Sequence, residues 1–376
     1  MKVPKGVGAR ASKRLKKLWR RYGKYAPIAV IVLGLLIAAA IIFMPSLGAK
    51  DTAIKPVRSL SELASCKPET KFQCYSTYFQ AETKSANPKT ALAEMQQLYD
   101  QGDEYVVSQC HQLAHQVGHA GYDKYGSLGK AFENGDNFCW SGYYHGITEQ
   151  AVGKMGRDEI KKQANNICKD LAKHKRYSFD HYNCVHGLGH GFMAVDNYNL
   201  FTALKTCDLL KDSWERSSCY GGVFMENVMV DVRQDGKSDY LKPDQPMYPC
   251  TAVAESYKYQ CYLMQTSYAL KQNSYNFADG FRLCRDVADP AYTTICYQSL
   301  GRDASGSTVS DIAKTKEHCD QALDYSGLEN CMLGAVRDFI SYYHSDAKAK
   351  QFCAVFEPTI TGRCLDEVTS YYATFK

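Results

Sequence analysis

The chain has little proline, 11 residues in 376, and only 3 Trp, against 28 Tyr and 16 Cys. With 23% charged and 45% hydrophobic residues, that is the profile of a folded chain, not a disordered one. No two cysteines stand in a Cys-x-x-Cys arrangement, which weakens a reading of the cysteines as zinc ligands and removes c-type haem attachment and thioredoxin-like redox chemistry. A Walker loop, a Gly-x-Ser-x-Gly elbow and an Asn-x-Ser/Thr acceptor are lacking as well. Acidic residues are missing from the first 24 positions, which hold ten Lys or Arg. Taking those ten from the 45 basic residues leaves 35 against 40 acidic ones, so the formal charge of +5 belongs to a tail and the remainder is about −5. A mildly acidic body without a basic stripe argues against nucleic acid as a partner.

Directly after the basic tail (1–25), residues 26–44 contain no charge, enough as a helix to cross a hydrocarbon core about 30 Å thick. The expectation is a single transmembrane helix at 26–45, held N-terminus inside by the positive charge before it, with the bulk of the chain extracytoplasmic at a cell membrane. The alternative is a cleaved signal peptide with its small residues at Ser46, Gly48 and Ala49. The apolar stretch exceeds a usual signal-peptide core and so favours an uncleaved signal-anchor. Either way the folded part is exported.

All 16 cysteines lie beyond this segment, and their number is even, so disulfides are the default in an oxidising compartment. Taken in order, the last six pairs are Cys168 with Cys184, Cys207 with Cys219, Cys250 with Cys261, Cys284 with Cys296, Cys319 with Cys331, and Cys353 with Cys364. Five of the six have separations of 11 or 12, and the first members recur at steps of 39, 43, 34, 35 and 34 residues. Such a period signals a repeat. The fold expected is all-α, an array of helical hairpins (solenoid-like) with one disulfide per hairpin. The first Cys would end one helix, the polar stretches 211–218 and 324–330 would form turns, and the second Cys would open the next helix. Val223, Met225 and Val228, or Leu333, Val336 and Ile340, give those second helices a buried side. The pairing of Cys66, Cys74, Cys110 and Cys139 is left open. After a juxtamembrane linker (46–65), this divides the exported part into His-rich units (66–230), a polar loop (231–249) and C-terminal units (250–376). A second linker is expected at 301–314, rich in Ser and Gly.

Ten histidines give about 0.3 chance pairs at i,i+4, the spacing that puts two side chains on one helix face. The sequence has three: His111 with His115, His115 with His119, and His186 with His190. His145 has Glu149 at the same spacing. His145 and His190 each stand six residues after the second Cys of a unit, and stacked units would make them neighbours, with Met225 and Glu226 next in line. Gly187, Gly189 and Gly191 each cost about 1 kcal/mol in a helix relative to Ala, which points to a close backbone approach or to a local departure from helix.

Imidazoles converging from several helices build metal sites in helical proteins. The metal ligands expected are His115, His119, His145, His186 and His190, with Glu149 as a further ligand or, like Glu226, a general base. Zn²⁺ suits such a set best; copper, given Met225 and Met229 nearby, and iron are the alternatives. His111 sits at the edge of its face and is left outside the set. His174, His181, His318 and His344 read as surface or packing residues. Three functions fit this pattern: a membrane-anchored binder that captures a metal, a metal-bearing ligand or a protein on its repeat surface; a zinc hydrolase or other metalloenzyme; or an interaction scaffold whose histidines only fill its core.

Overall fold

Good helix-capping residues recur along the chain at intervals that set the architecture. Asp103, Ser178, Asp289 and Asp324 each accept a backbone N–H of the first turn that follows, and Asp212 Oδ1 accepts those of Trp214 and Glu215. Each such cap stabilises its helix by about 0.5–2 kcal/mol. In a computed structural model that describes residues 57–174, 177–229, 238–308 and 311–375, the chain is all-helical, with no strand among the described residues.

The helices are α1 Lys71–Ser85, α2 Pro88–Asp100, α3 Glu104–Tyr125, α4 Leu128–Glu133, α5 Gly142–Met155, α6 Arg157–Ile167, α7 Lys169–His174, α8 Phe179–Val195 and α9 Leu200–Cys207. They continue as α10 Ser213–Met229, α11 Glu255–Gln272, α12 Phe277–Arg285, α13 Pro290–Ser307, α14 Ile312–Cys319, α15 Tyr325–Tyr343, α16 Ala347–Cys353 and α17 Pro358–Ala373. The long helices pack in chain order, α1 on α3, then α5, α8, α10, α11, α13, α15 and α17. The short helices α9, α12, α14 and α16 each lie against the two long helices that flank them in sequence. The expected span at 26–45, the basic tail and positions 231–237 of the polar loop lie outside the described residues, among which no helix is long and apolar enough to cross a membrane.

Eight disulfides are formed and no described cysteine is free. Six join Cys168–Cys184, Cys207–Cys219, Cys250–Cys261, Cys284–Cys296, Cys319–Cys331 and Cys353–Cys364; the remaining two are Cys66–Cys74 and Cys110–Cys139. The second cysteine does not open its helix. Because Asp212 and Asp324 cap at once, α10 and α15 start at Ser213 and Tyr325, inside the stretches expected as turns, and Cys219 and Cys331 fall nearly two turns within. The bridge therefore fastens the middle of a long helix to the end of a short one. The expected linker at 301–314 is also mostly helix, since α13 runs on through Ser307.

That continuation has a packing reason. A Cβ on Gly301 would stand 1.8 Å from the Cys331 carbonyl oxygen, and one on Gly334 would stand 1.8 Å from that of Gln298. The same reciprocal crossing joins α3 to α5, through Gly118 against Tyr143 O and Gly146 against His115 O. It joins α8 to α10 again, through Gly189 against Cys219 O and Gly222 against His186 O. In all three, each glycine meets the carbonyl three residues before the partner glycine. No larger residue lets two helix backbones come this close.

Segments beside α5 and α8 also meet the C-terminal end of the chain. Trp140, just before α5, packs on Tyr342, and Asn137 Nδ2 donates to the Tyr342 carbonyl. Phe179 at the start of α8 is stacked between His344 and Phe375.

Candidate metal centre

The glycine crossings decide what lies between α3, α5, α8 and α10. They draw the backbones together, and the side chains that flank the crossings are imidazoles. His111 and His115 on α3, His145 on α5 and His190 on α8 offer ring nitrogens that all lie within 4.8 Å of one another. None is more than 4% exposed.

The orientation of each ring follows from what holds its outer edge. His111 Nδ1 is 2.8 Å from the Cys139 carbonyl, which can only accept, so the ring hydrogen is on Nδ1. His115 Nδ1 donates to Glu149 Oε2 at 3.1 Å, and His190 Nδ1 to Glu226 Oε2 at 2.7 Å. In all three rings this leaves the Nε2 lone pair directed inward. His115 Nε2 and His111 Nε2 consequently face each other at 3.1 Å, lone pair to lone pair, with no room for a water between them. His190 Nε2 and both ring nitrogens of His145 are buried without a hydrogen-bonding partner in the protein. The rings of His145 and His190 are stacked with centroids 5.0 Å apart.

A proton shared between the facing nitrogens would relieve the repulsion, but it would put a charge where water cannot reach. Burial first, and then the neighbouring imidazoles, hold His111 and His145 well below the usual histidine range. Neutral imidazole is the form that binds metals. Ligating histidines characteristically donate their other N–H to a carboxylate or a backbone carbonyl, which fixes the tautomer; this is the pattern at His111, His115 and His190. These four buried histidines could hold a metal ion. Ions bound at about 2.0–2.1 Å keep their nitrogens about 3.3 Å apart in a tetrahedron. The facing pair on α3 is already near that spacing, and a pair at the 4.8 Å limit must close by about 1.5 Å to reach it.

No family model, curated protein or solved structure matches this chain. Its chemistry rests on the donors alone.

The residues singled out from the sequence fall into separate places. His115, His145 and His190 meet in the cluster. His119, the outermost of its helix at 20% side-chain exposure, turns Nε2 to Glu149 Oε2 at 2.9 Å and stands behind the cluster rather than in it. Glu149 and Glu226 occupy the outer edges of His115 and His190, so their bonded oxygens face away from the inward nitrogens. His186 is adjacent, its centroid 4.8 Å from that of His145, but its Nε2 is directed at Met225 Sδ, 3.3 Å away. His111, set aside in the sequence as an edge residue, is in the centre. The signal was its neighbour: Cys110 bonds Cys139, and that bridge delivers the Cys139 carbonyl to the ring of His111. Elsewhere His181 is buried between Glu215 and the Tyr177 N–H, His318 stacks on Phe277 and His344 on Phe179, all of them packing roles.

Proposed function

We propose that this chain is a membrane-anchored, extracytoplasmic metal-binding protein, a disulfide-stapled array of helical hairpins whose first units hold one ion through His111, His115, His145 and His190. One observation carries the reading: His190 Nε2 and both ring nitrogens of His145 are buried with no hydrogen-bonding partner in the protein, beside two imidazoles whose Nε2 atoms face each other at 3.1 Å. A core that used histidine only to fill space would match each ring nitrogen with a donor or an acceptor, because an unmatched buried polar group costs about 1–3 kcal/mol.

Charge supports a divalent ion. Four neutral imidazoles bring none, whereas Glu149 and Glu226 each place a buried negative charge one ring away from the cluster. A cation of charge +2 balances the pair. Zn²⁺ suits the all-imidazole set, with copper next, and iron fits less well where no ligating carboxylate is offered. Burial and a full complement of four protein donors favour an ion that is held, tying α3, α5 and α8 together, over one that opens a position to substrate. Anchoring follows from the uncharged stretch 26–44 behind its basic tail, and export fits the eight disulfides.

Elemental analysis of the full chain, purified in mild detergent without chelators, tests the reading. About one zinc or copper ion per chain is expected, and the double variant His111→Ala/His115→Ala should retain none. A wild-type chain that carries no transition metal, and takes up none when zinc or copper is added back, ends it.

A further inference from the structure

The four histidines of the cluster are at most 4% exposed, so an ion reaches them only through the protein. One row of donors leads outward. His111, His115, His119 and Asp123 follow one another on α3 at i,i+4 spacing, along one face of the helix, each step rising about 6 Å. Exposure climbs along that row: His111 and His115 are buried, the His119 side chain is 20% exposed and that of Asp123 37%. At the inner end the Cys139 carbonyl, fixed by the Cys110–Cys139 bridge, occupies the outer edge of the His111 ring.

The outer pair has donors that suit a metal ion. His119 gives its Nε2–H to Glu149 Oε2, which leaves its Nδ1 lone pair without a partner among the described residues. Asp123 receives Gln150 Nε2 at 2.9 Å and Lys154 Nζ at 2.5 Å, both on Oδ1, so Oδ2 remains for a ligand. Histidine and aspartate one turn apart offer zinc a nitrogen and an oxygen from the same helix face, and at the surface water completes the shell. Lys154 already places a positive charge there. Its pair with Asp123 is solvent-exposed and contributes only about 0–1 kcal/mol, so a divalent ion can displace it. Glu149 joins this surface pair to the buried centre, because its Oε2 accepts both His119 Nε2–H and His115 Nδ1–H.

We propose that His119 and Asp123 form a surface capture site for zinc, from which the ion passes by way of Glu149 to the four-histidine centre. The inference rests on the metal reading above. The transfer is an exchange of ligands: the ion leaves His119 and Asp123 for the Glu149 carboxylate, and that carboxylate for the inward nitrogens. No electron moves, and the ring hydrogens stay on His119 Nε2 and His115 Nδ1.

The full chain in detergent is given one equivalent of Zn²⁺. Uptake is timed with a zinc indicator, release into an excess of a chromophoric chelator, and affinity by competition at equilibrium. A group that meets the ion only in transit changes both rates by one factor and leaves their ratio alone. His119→Gln, which keeps an N–H for Glu149, should slow uptake and release by about tenfold or more while affinity changes less than about threefold. Asp123→Asn should slow both by a smaller factor, and Lys154→Gln, which removes the competing cation, should speed both. The capture site is overturned by unchanged rates in His119→Gln or Asp123→Asn, or by slower exchange in Lys154→Gln. A His119→Gln chain that loses affinity with uptake unaltered, as a mere support of Glu149 would give, overturns it as well. In each of those outcomes the wild-type chain still holds zinc and the four-histidine reading stands; a wild-type chain that retains no metal fails on that reading instead.

Discussion

The crossings of α3 with α5, α8 with α10, and α13 with α15 share one backbone geometry and carry different chemistry. Counted from the crossing glycines, the residue three before on the first helix meets the residue three after on the second. These pairs are His115 with Glu149 at 3.1 Å, His186 with Met225 at 3.3 Å, and Gln298 with Arg337 at 2.7 Å. One residue after the first glycine stand His119, His190 and Arg302; four after the second stand Gln150, Glu226 and Asp338. His190 with Glu226 in the second crossing thus corresponds to Arg302 with Asp338 in the third. The early crossings bury imidazole acceptors and carboxylates, a set whose four histidines could hold a metal ion. The late crossing carries its own cation, the Arg302 guanidinium, 2.7 Å from Asp303 and close to the buried Asp338. The fold thus supplies a frame that brings these positions together, and their identity sets the chemistry of each crossing.

Removing the built-in cation should have the largest effect on this contrast. Arg302→Ala leaves Asp303 and Asp338 buried without it and should destabilise the protein by about 3–5 kcal/mol near pH 8. Burial, only partly offset by Arg302, already pushes Asp338 up to about 6 from 3.8. Because the folded-state value lies above the unfolded one, the ionised form weakens the fold; that cost is full above about pH 6 and fades as pH falls towards 3.8. Denaturant unfolding should therefore show the variant's deficit shrinking below pH 6, and a deficit that grows with acidification would contradict the assignment. Next in size is the frame itself. Gly222→Ala puts a Cβ 1.9 Å from the His186 carbonyl oxygen, and Gly301→Ala puts one 1.8 Å from that of Cys331. Each should cost about 2–3 kcal/mol through overpacking against backbone. Only Gly222→Ala should also lower metal content, since it alone displaces helices that carry the histidines. Equal metal loss in both variants would erase the distinction between the crossings.

The helical class was legible because apolar residues recur at helical spacing and capping residues precede them, as with Asp324 before Leu333 and Val336. The helix starts were misplaced by the same residues, for Asp212 and Asp324 look like turn formers until their side chains are seen to cap. Of the two readings the glycines at 187, 189 and 191 left open, the structure has close approach within an unbroken helix, of Gly189 to the Cys219 carbonyl oxygen and of Gly187 and Gly191 to the side chains of Thr148 and Val152. Within the site, i,i+4 spacing shows that two histidines share a helix face but not which ring edge looks inward. That is set across helices, by the Cys139 carbonyl for His111 and by Glu149 for His115 and His119 together. Spacing therefore could not separate His111, which enters the cluster, from His119, which stands behind it. Arg302 stands six residues after Cys296 as His190 stands six after Cys184, so their correspondence was visible in the sequence, and the glycine register repeats it.

The finest division between the two halves lies at their corresponding carboxylates. Glu226→Gln keeps an oxygen for His190 Nδ1–H and so keeps the ring in place, but it removes a negative charge that makes the imidazole a stronger ligand. Loss of such a partner costs about 10–100-fold in metal affinity, or about 1.4–2.7 kcal/mol, and should be read as weaker zinc retention in a chelator competition, with unfolding of the metal-free protein little changed. Asp338→Asn makes the same exchange in the late crossing and should act in the opposite direction. With its ionised form disfavoured by burial, the neutral isostere should stabilise the fold by about 1–2 kcal/mol at pH 8 and by nothing below pH 4, leaving metal content untouched. Opposite signs at matched positions are what a frame with one imported and one built-in cation requires. If both variants weaken metal binding, or if both merely destabilise the fold by similar amounts, the two crossings are chemically alike and the contrast between them fails.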